Sequence, residues 1–109
     1  MNPPNIVFVC INRSYNQNAT EEQVKKATCE AWKIAESRIP YLQYIVGYTS
    51  NKGVLTPVSA YKINHYENAD GGRIKFPDAK LVDLNEFYSL SKKCPQKSKS
   101  RNPVFYGNI

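Results

Sequence analysis

Long apolar runs are absent from this sequence, and their absence limits where the protein can work. No segment approaches the ~20 apolar residues that a membrane-spanning helix requires. The first five residues include two prolines and lack the basic and apolar regions of a secretory signal peptide. We therefore expect a soluble, cytoplasmic protein that has no membrane partner.

Cysteine and histidine are scarce. The cysteines Cys10, Cys29 and Cys94 form no CxxC pair, and an odd number without a secretion signal favours reduced thiols. His65 is the only histidine and has no cysteine at ligand spacing. Lysines near Cys94 would lower the pKa of its thiol, whereas Cys10 and Cys29 lie in segments predicted to be core. We therefore expect no metal site, no cofactor and no Cys/His enzyme.

Acidic residues offer little catalytic chemistry. The carboxylates fall mainly at predicted helix starts and turns, so no pair is set apart for acid–base catalysis or for Mg²⁺. Gly71 and Gly72 lack the following Lys-Ser/Thr sequence of a phosphate-binding loop. The expectation is a protein that is not an enzyme. A compact nuclease or hydrolase is a third hypothesis, because residues distant in sequence can converge in the fold, and His65 and Glu67 are the residues whose substitution would test it.

The chain contains enough apolar material for one compact domain. Its 109 residues fit a single domain spanning 1–109, because dividing them would leave neither half an adequate core. A composition of 41% hydrophobic and 22% charged residues lies near ordinary globular usage. This composition excludes collagen-like, coiled-coil and wholly disordered chains.

The first part of the chain predicts a buried strand followed by the main helix. Residues 6–11 form an apolar, β-branched run that is typical of a strand buried on both faces. Thr20 and Gln23 have the spacing of a capping box, in which the Thr20 hydroxyl accepts from the Gln23 amide. Apolar and small residues then recur at helical steps as far as Ala35, so we expect the helix to end before Pro40.

Beyond Pro40 the pattern becomes extended. Two β-rich runs, at residues 44–48 and 54–63, are joined by a turn with Asn and Gly and predict a hairpin. Pro57 cannot donate a ladder hydrogen bond, so the second strand is at an edge there or bulged.

Four further segments complete the predicted fold. They are a polar loop at residues 64–72, a short strand at 73–76, a short helix capped by Asp83 and running through Tyr88, and a final strand at 104–106. Together, the predicted helices and strands indicate an α+β fold with a small, curved, mostly antiparallel β-sheet or partly open barrel. It has one main helix and one short helix.

Basic residues outnumber acidic ones, mainly in the second half of the chain. The 15 Lys and Arg against 9 Asp and Glu give a net charge of +6. Such a field attracts phosphate, acidic protein or an anionic surface, although a solvated basic loop explains the same charge. No acid follows Glu86, and five cations lie within ten residues there. They are Lys92, Lys93, Lys97, Lys99 and Arg101.

Aromatic and polar loop residues supply the rest of a candidate binding surface. Eight tyrosines, four phenylalanines and one tryptophan accompany the cations, and exposed bases stack on such rings. Residues 12–15 place an amide, a guanidinium, a hydroxyl and a ring before the helix N-terminus, where backbone amides favour an anion. A structural role stays open, because Arg13 could pair with a carboxylate and Trp32 could brace the helix on the sheet.

Several short motifs follow one another in a characteristic order. They are residues 12–15, Ala27 with Thr28 and Trp32, residues 44–46, residues 53–63, Gly72 with Arg73 and Phe76, and residues 102–108. In this order and approximate spacing the chain resembles, over nearly its whole length, a group of small PUA-like domains (pseudouridine synthase and archaeosine transglycosylase-like), often found near restriction and defence genes. The resemblance implies a curved β-barrel that binds RNA or modified DNA bases, as in the related ASCH, EVE and SRA domains.

The chain departs from that group at four positions. The group usually has arginine where this sequence has Cys29 and Phe105, and tryptophan where it has Tyr66 and Ile74. The missing cations and indoles imply weaker binding, another ligand, or contact shifted to the lysine-rich segment.

Charge, loops and resemblance together predict a non-enzymatic nucleic-acid-binding domain that reads an exposed or modified base in RNA or DNA. The alternative is a protein-binding inhibitor or accessory factor of a restriction or defence enzyme. The residues predicted to bind the ligand are Asn12, Arg13, Ser14, Tyr15, Trp32, Tyr66, Arg73, Asn102 and Tyr106. Those predicted to contact phosphate are Lys92, Lys93, Lys97, Lys99 and Arg101.

Overall fold

The computed structural model describes residues 4–12, 18, 20–29, 32–94 and 104–108. In this part of the chain there are seven strands, two α-helices and two short 3-10 turns, Ile39–Tyr41 and Asp70–Gly72. The strands and helices are β1 (Ile6–Cys10), α1 (Glu21–Cys29), β2 (Tyr44–Asn51), β3 (Val54–Lys62), β4 (Glu67–Ala69), β5 (Arg73–Lys75), β6 (Lys80–Leu81), α2 (Leu84–Ser91) and β7 (Val104–Gly107).

Five of the described strands form one sheet in the order β6-β3-β2-β1-β7. β1 and β2 run parallel, and the other three neighbouring pairs are antiparallel. β4 and β5 form a separate antiparallel ribbon. The predicted α+β class, with two helices and a mostly antiparallel sheet, is therefore confirmed. β6 and β7 are the two edges of the sheet, which is not closed into a barrel.

Two short strands, β4 and β6, were not predicted from the sequence. β4 lies inside the segment predicted to be a polar loop, and it forms because its three residues pair with β5. β6 has two residues, which pair with the end of β3. Strands this short contain too few alternating positions to produce a period-2 pattern, so only their pairing partners reveal them.

β1 lies inside the sheet and is covered on both of its faces. Val7 and Val9 pack into the core cluster beneath α1, whereas Ile6 and Phe8 pack into the cluster beneath α2. All four side chains are fully buried. The predicted strand is therefore confirmed, and the reason for its continuous apolar run is that neither face meets water.

Both helices begin at side-chain caps that the sequence predicts. Thr20 Oγ1 accepts from the Gln23 N–H at 3.2 Å, and Gln23 Oε1 accepts from the Thr20 N–H at 3.0 Å. Asp83 caps α2 by one such bond, because its Oδ1 accepts from the Glu86 N–H at 2.8 Å. α2 runs on to Ser91, beyond its predicted end, because its last turn buries Leu90 against the sheet. In the described part of the chain, no helix is long and apolar enough to cross a membrane.

The end of α1 differs from the prediction. The helix stops at Cys29, and Ala35, predicted to lie on its apolar face, is exposed beyond it. Cys29 O accepts from the Phe76 N–H at 2.9 Å. The backbones of Trp32 and Ile74 then exchange two hydrogen bonds, of 2.8 and 2.9 Å. After α1, the backbone therefore bonds to Ile74 of β5 and to Phe76 instead of continuing as a helix.

β2 and β3 form the predicted hairpin. Its turn consists of Lys52 and Gly53, both with positive φ (53° and 83°), which matches the right-handed twist of the flanking strands. The ladder skips Val58, directly after Pro57, and this irregularity is the bulge that the proline favours. β3 is therefore bent at this point.

α1 lies very close to β2 at Gly47. A Cβ atom on Gly47 would lie only 2.5 Å from Thr28 Oγ1 and 3.3 Å from Ile11 Cδ1. Thr28 is fully buried, and its hydroxyl donates to Val24 O at 2.8 Å, so it has little freedom to move aside. Glycine is therefore needed at position 47 for lack of space, since α1 could not otherwise lie this close to β2.

We expect Gly47→Ala to lower the free energy of unfolding by about 1 to 3 kcal/mol, because the added methyl group overpacks the contact with Thr28. Urea denaturation measures this loss. In a Thr28→Ala background the same substitution should have a smaller effect, since the closest clashing atom, Thr28 Oγ1, is gone and only the milder contact with Ile11 Cδ1 remains. An equal loss in both backgrounds would show that Thr28 is not the constraint.

Candidate functional site

The structure describes half of the predicted site. Asn12, Trp32, Tyr66, Arg73, Lys92, Lys93 and Tyr106 are among the described residues. Arg13, Ser14, Tyr15, Lys97, Lys99, Arg101 and Asn102 lie outside them. The predictions for this second group stay predictions.

The Asn12 side chain pairs with the backbone of β2. Asn12 Nδ2 donates to Ser50 O at 2.7 Å, and the Ser50 N–H donates to Asn12 Oδ1 at 2.7 Å. This amide continues the pairing of β1 with β2 past its last backbone bond, from the Ile11 N–H to Tyr48 O. A ligand would therefore meet an amide group whose orientation β2 has already fixed.

Trp32 connects the end of α1 to the β4–β5 ribbon. Its Nε1 donates to Thr28 O at 2.8 Å, and its backbone pairs with Ile74. The ring is half-buried against the core cluster beneath α1. These contacts are those of a residue that braces the helix, which is the structural alternative left open by the sequence.

Replacing Trp32 with Phe distinguishes the two roles of this residue. We expect the free energy of unfolding to fall by about 1 kcal/mol, because the Thr28 carbonyl loses its donor. Affinity for single-stranded RNA should not change. Urea denaturation and fluorescence anisotropy measure the two quantities, and a lower affinity at unchanged stability would instead assign Trp32 to the ligand.

Tyr106 in β7 has a cation on its ring. Arg38 Cζ lies 4.4 Å from the ring centroid, within the distance of a cation–π contact. Tyr106 is half-buried and packs against the core cluster beneath α1. The Tyr41 N–H donates to Arg38 O at 3.1 Å, so the turn that follows Arg38 holds its backbone. Sequence reasoning missed Arg38, since no local pattern links it to a ring so far along the chain.

Tyr66 and Arg73 belong to the β4–β5 ribbon. Arg73 is exposed at the start of β5, opposite Ala69, and Tyr66 directly precedes β4 with 48% of its surface exposed. Trp32 reaches the same ribbon through Ile74. The ribbon therefore gathers three of the predicted residues, whereas Asn12 lies at the end of β1 and Tyr106 on the edge strand β7.

Most of the described cations have no carboxylate partner. Of the eleven described Lys and Arg residues, Lys75 alone lies within 4.0 Å of a described carboxylate, that of Glu67. Lys92 and Lys93 are exposed directly after α2. The positive charge of the described surface is therefore largely uncompensated by ion pairs.

The groups considered for catalysis lie at the surface. His65 Nδ1 lies 3.0 Å from Asp78 Oδ2, and both side chains are about half exposed. Glu67 lies 4.0 Å from the Lys75 ammonium across the ribbon. Among the described residues, no group of three or more His, Cys, Asp and Glu side chains could hold a metal ion. Exposed pairs of this kind give no preorganised acid–base site.

Cys94 corrects one expectation from the sequence. It is buried in the core cluster that contains Phe8 and Leu90. Burial raises the pKa of its thiol from 9.0 to about 11. The predicted lowering by nearby lysines is therefore wrong, because Lys92 and Lys93 are exposed and the sulfur lies in the core.

The raised pKa of Cys94 makes stability depend on pH. The neutral thiol stabilises the fold fully below pH 9, and this contribution is lost as the pH rises through about 11. We expect it to amount to at most about 2 to 3 kcal/mol. Urea denaturation between pH 8 and 11 should show a shallower decline for Cys94→Ala than for the wild type. Parallel declines would contradict this.

A cleft of about 560 Å³ lies between α1, β3 and β6. We call it the α1–β3 cleft. Apolar residues form much of its wall: Val24, Val58, Tyr61, Ala79 and Leu81. Its polar groups are Ser59, Glu21, Glu22, Lys25 and Lys80. None of the described residues predicted to bind the ligand lines it. Sequence reasoning missed the cleft, because its wall joins segments that are far apart in the chain.

Burial raises the pKa of Tyr61 at the cleft wall. A hydrogen bond with the Ser59 side chain opposes this rise, and the negative charge of Glu21 adds to it. The Tyr61 hydroxyl therefore stays protonated at neutral pH.

Comparisons with family models, curated proteins and solved structures found no match to this chain. The PUA-like resemblance therefore stays a prediction.

Proposed function

We propose that this domain binds single-stranded RNA or DNA and contacts an exposed base. The observation that carries the proposal is the Arg38 guanidinium on the Tyr106 ring, 4.4 Å from its centroid. Arg38 has no carboxylate within 4.0 Å among the described residues. A planar cation held against a ring, with its charge not neutralised, suits a base or a phosphate.

The contact assigns different tasks to the two residues. Arg38 covers one face of the Tyr106 ring, and the ring also packs against the core. We infer that Tyr106 supports the guanidinium, and that the outer face of Arg38 meets the ligand. Arginine can stack on a base and can also donate to phosphate oxygens, so one side chain serves both contacts.

The charge of the whole chain supports the same proposal. A net charge of +6, with few of the described cations paired, attracts a polyanion from a distance. The basic residues from Lys92 to Arg101 directly precede β7 in the sequence, and β7 carries Tyr106. Phosphate contacts supply affinity without sequence preference, so selectivity would come from the base that meets Arg38.

The test compares Arg38→Ala and Arg38→Lys by fluorescence anisotropy with labelled single-stranded RNA and DNA over a range of salt. We expect Arg38→Ala to weaken binding about three- to tenfold and to reduce the slope of log K against log salt by ~0.7. Arg38→Lys should keep the slope but lose affinity, because an ammonium cannot stack as a plane. Lys52→Ala, in the exposed β2–β3 turn, removes the same charge as a matched control.

Two results would count against nucleic-acid binding at this place. If Lys52→Ala weakened binding as much as Arg38→Ala, the affinity would depend on the net charge of the protein and not on the position of Arg38. If neither RNA nor DNA bound at low salt, the proposal would fail, and capture of an acidic protein after nuclease treatment would favour the accessory-factor alternative.

A further inference from the structure

The α1–β3 cleft has the chemistry of a second binding site, separate from Arg38 and Tyr106. We propose that it binds a zwitterionic ligand with an apolar body, of which a short apolar peptide with free termini is the simplest example. The proposal does not depend on nucleic-acid binding.

The size and wall of the cleft suit a small organic ligand. Its volume of about 560 Å³ lies within the ~300 to 1,000 Å³ that is typical of small-molecule sites. Leu81 borders it with 60% of its surface exposed, so an apolar ligand would remove that side chain from water. Ser59 and Tyr61 add hydroxyl groups to the apolar part of the wall.

The charges around the cleft are of both signs and are not paired. Glu21 and Glu22 line it from the first turn of α1, and Lys25 and Lys80 also line it. Among the described residues, none of these four lies within 4.0 Å of an opposite charge. Two carboxylates and two ammonium groups that border one cleft can each take a counter-charge from a bound molecule.

This arrangement selects against the other ligand classes. A phosphate or nucleotide would meet two carboxylates at the start of α1, which cancel the attraction of the helix N-terminus for an anion. A simple cation would meet Lys25 and Lys80, and a purely apolar molecule would leave all four charges without a partner. A ligand with one ammonium, one carboxylate and an apolar body satisfies each part of the wall.

The experiment titrates the ¹⁵N-labelled full chain with the dipeptide Leu-Leu and follows the amide signals by NMR. We expect saturable shifts at Val58, Ser59 and Leu81. N-acetyl-Leu-Leu lacks the ammonium and Leu-Leu-amide lacks the carboxylate, and each should bind about three- to tenfold more weakly.

Two variants test which protein charges meet which end of the peptide. The double variant Glu21→Gln, Glu22→Gln should bind the free and the acetylated peptide equally, and Lys25→Gln should bind the free and the amidated peptide more nearly alike. Glu36→Gln and Lys26→Gln are matched controls, because both residues are exposed and neither lines the cleft. The spectra themselves show whether each variant is folded.

Three outcomes would overturn the proposal. The first is the absence of saturable shifts with the free dipeptide at millimolar concentration. The second is equal binding of free and blocked peptides to the wild type, which would show that the cleft binds only the apolar side chains of the peptide. The third is a stronger effect of adenosine monophosphate on the same signals, which would assign the cleft to nucleotide binding. None of these results bears on Arg38, so the two proposals fail separately.

Discussion

The packing of α1 and α2 against opposite faces of β1 is the constraint on which the rest of the fold depends. β1 runs parallel to β2, and a parallel pair needs a crossover connection, which contains α1. β7 then pairs on the other side of β1, so that the strand is surrounded by neighbours on both edges and by side chains on both faces. An apolar strand of this kind is stable only when every direction is closed to water.

The same packing explains where the molecule is open. The last turn of α1 lies tightly against the sheet, where Thr28 faces Gly47. Its first turn, with Glu21 and Glu22, borders the α1–β3 cleft instead. β3 is bulged at Val58, which also lines that cleft. One end of α1 is in close contact with the sheet, and the other end lies beside the irregular part of β3. A space that the side chains do not fill is left there.

The described surface separates two kinds of charge environment. Arg38 is held by a ring and a backbone turn, with no described carboxylate beside it. The α1–β3 cleft, in contrast, has equal numbers of carboxylates and ammonium groups. One environment suits an anion and the other a zwitterion, so the two places would select different ligands by charge alone. Cys94, which the sequence placed in a basic loop, belongs to neither, because its sulfur lies in the core.

Local patterns in the sequence determined the elements whose causes are local. The apolar run of β1, the Thr20 cap and the turn between β2 and β3 each depend on residues a few positions apart, and each was predicted. For the strand at Pro57 the sequence left an edge or a bulge open, and the structure has the bulge. Tertiary structure alone decided where α1 ends and that the Asn12 amide bonds to the backbone of Ser50. It also decided that Arg38 lies on the Tyr106 ring and that a cleft opens beside α1. These features join segments that are far apart in the chain. Periodicity and capping rules cannot predict them, because these rules relate a residue only to residues a few positions away. Which distant segments meet is set by the burial of the whole core, and so it was visible only in the folded chain.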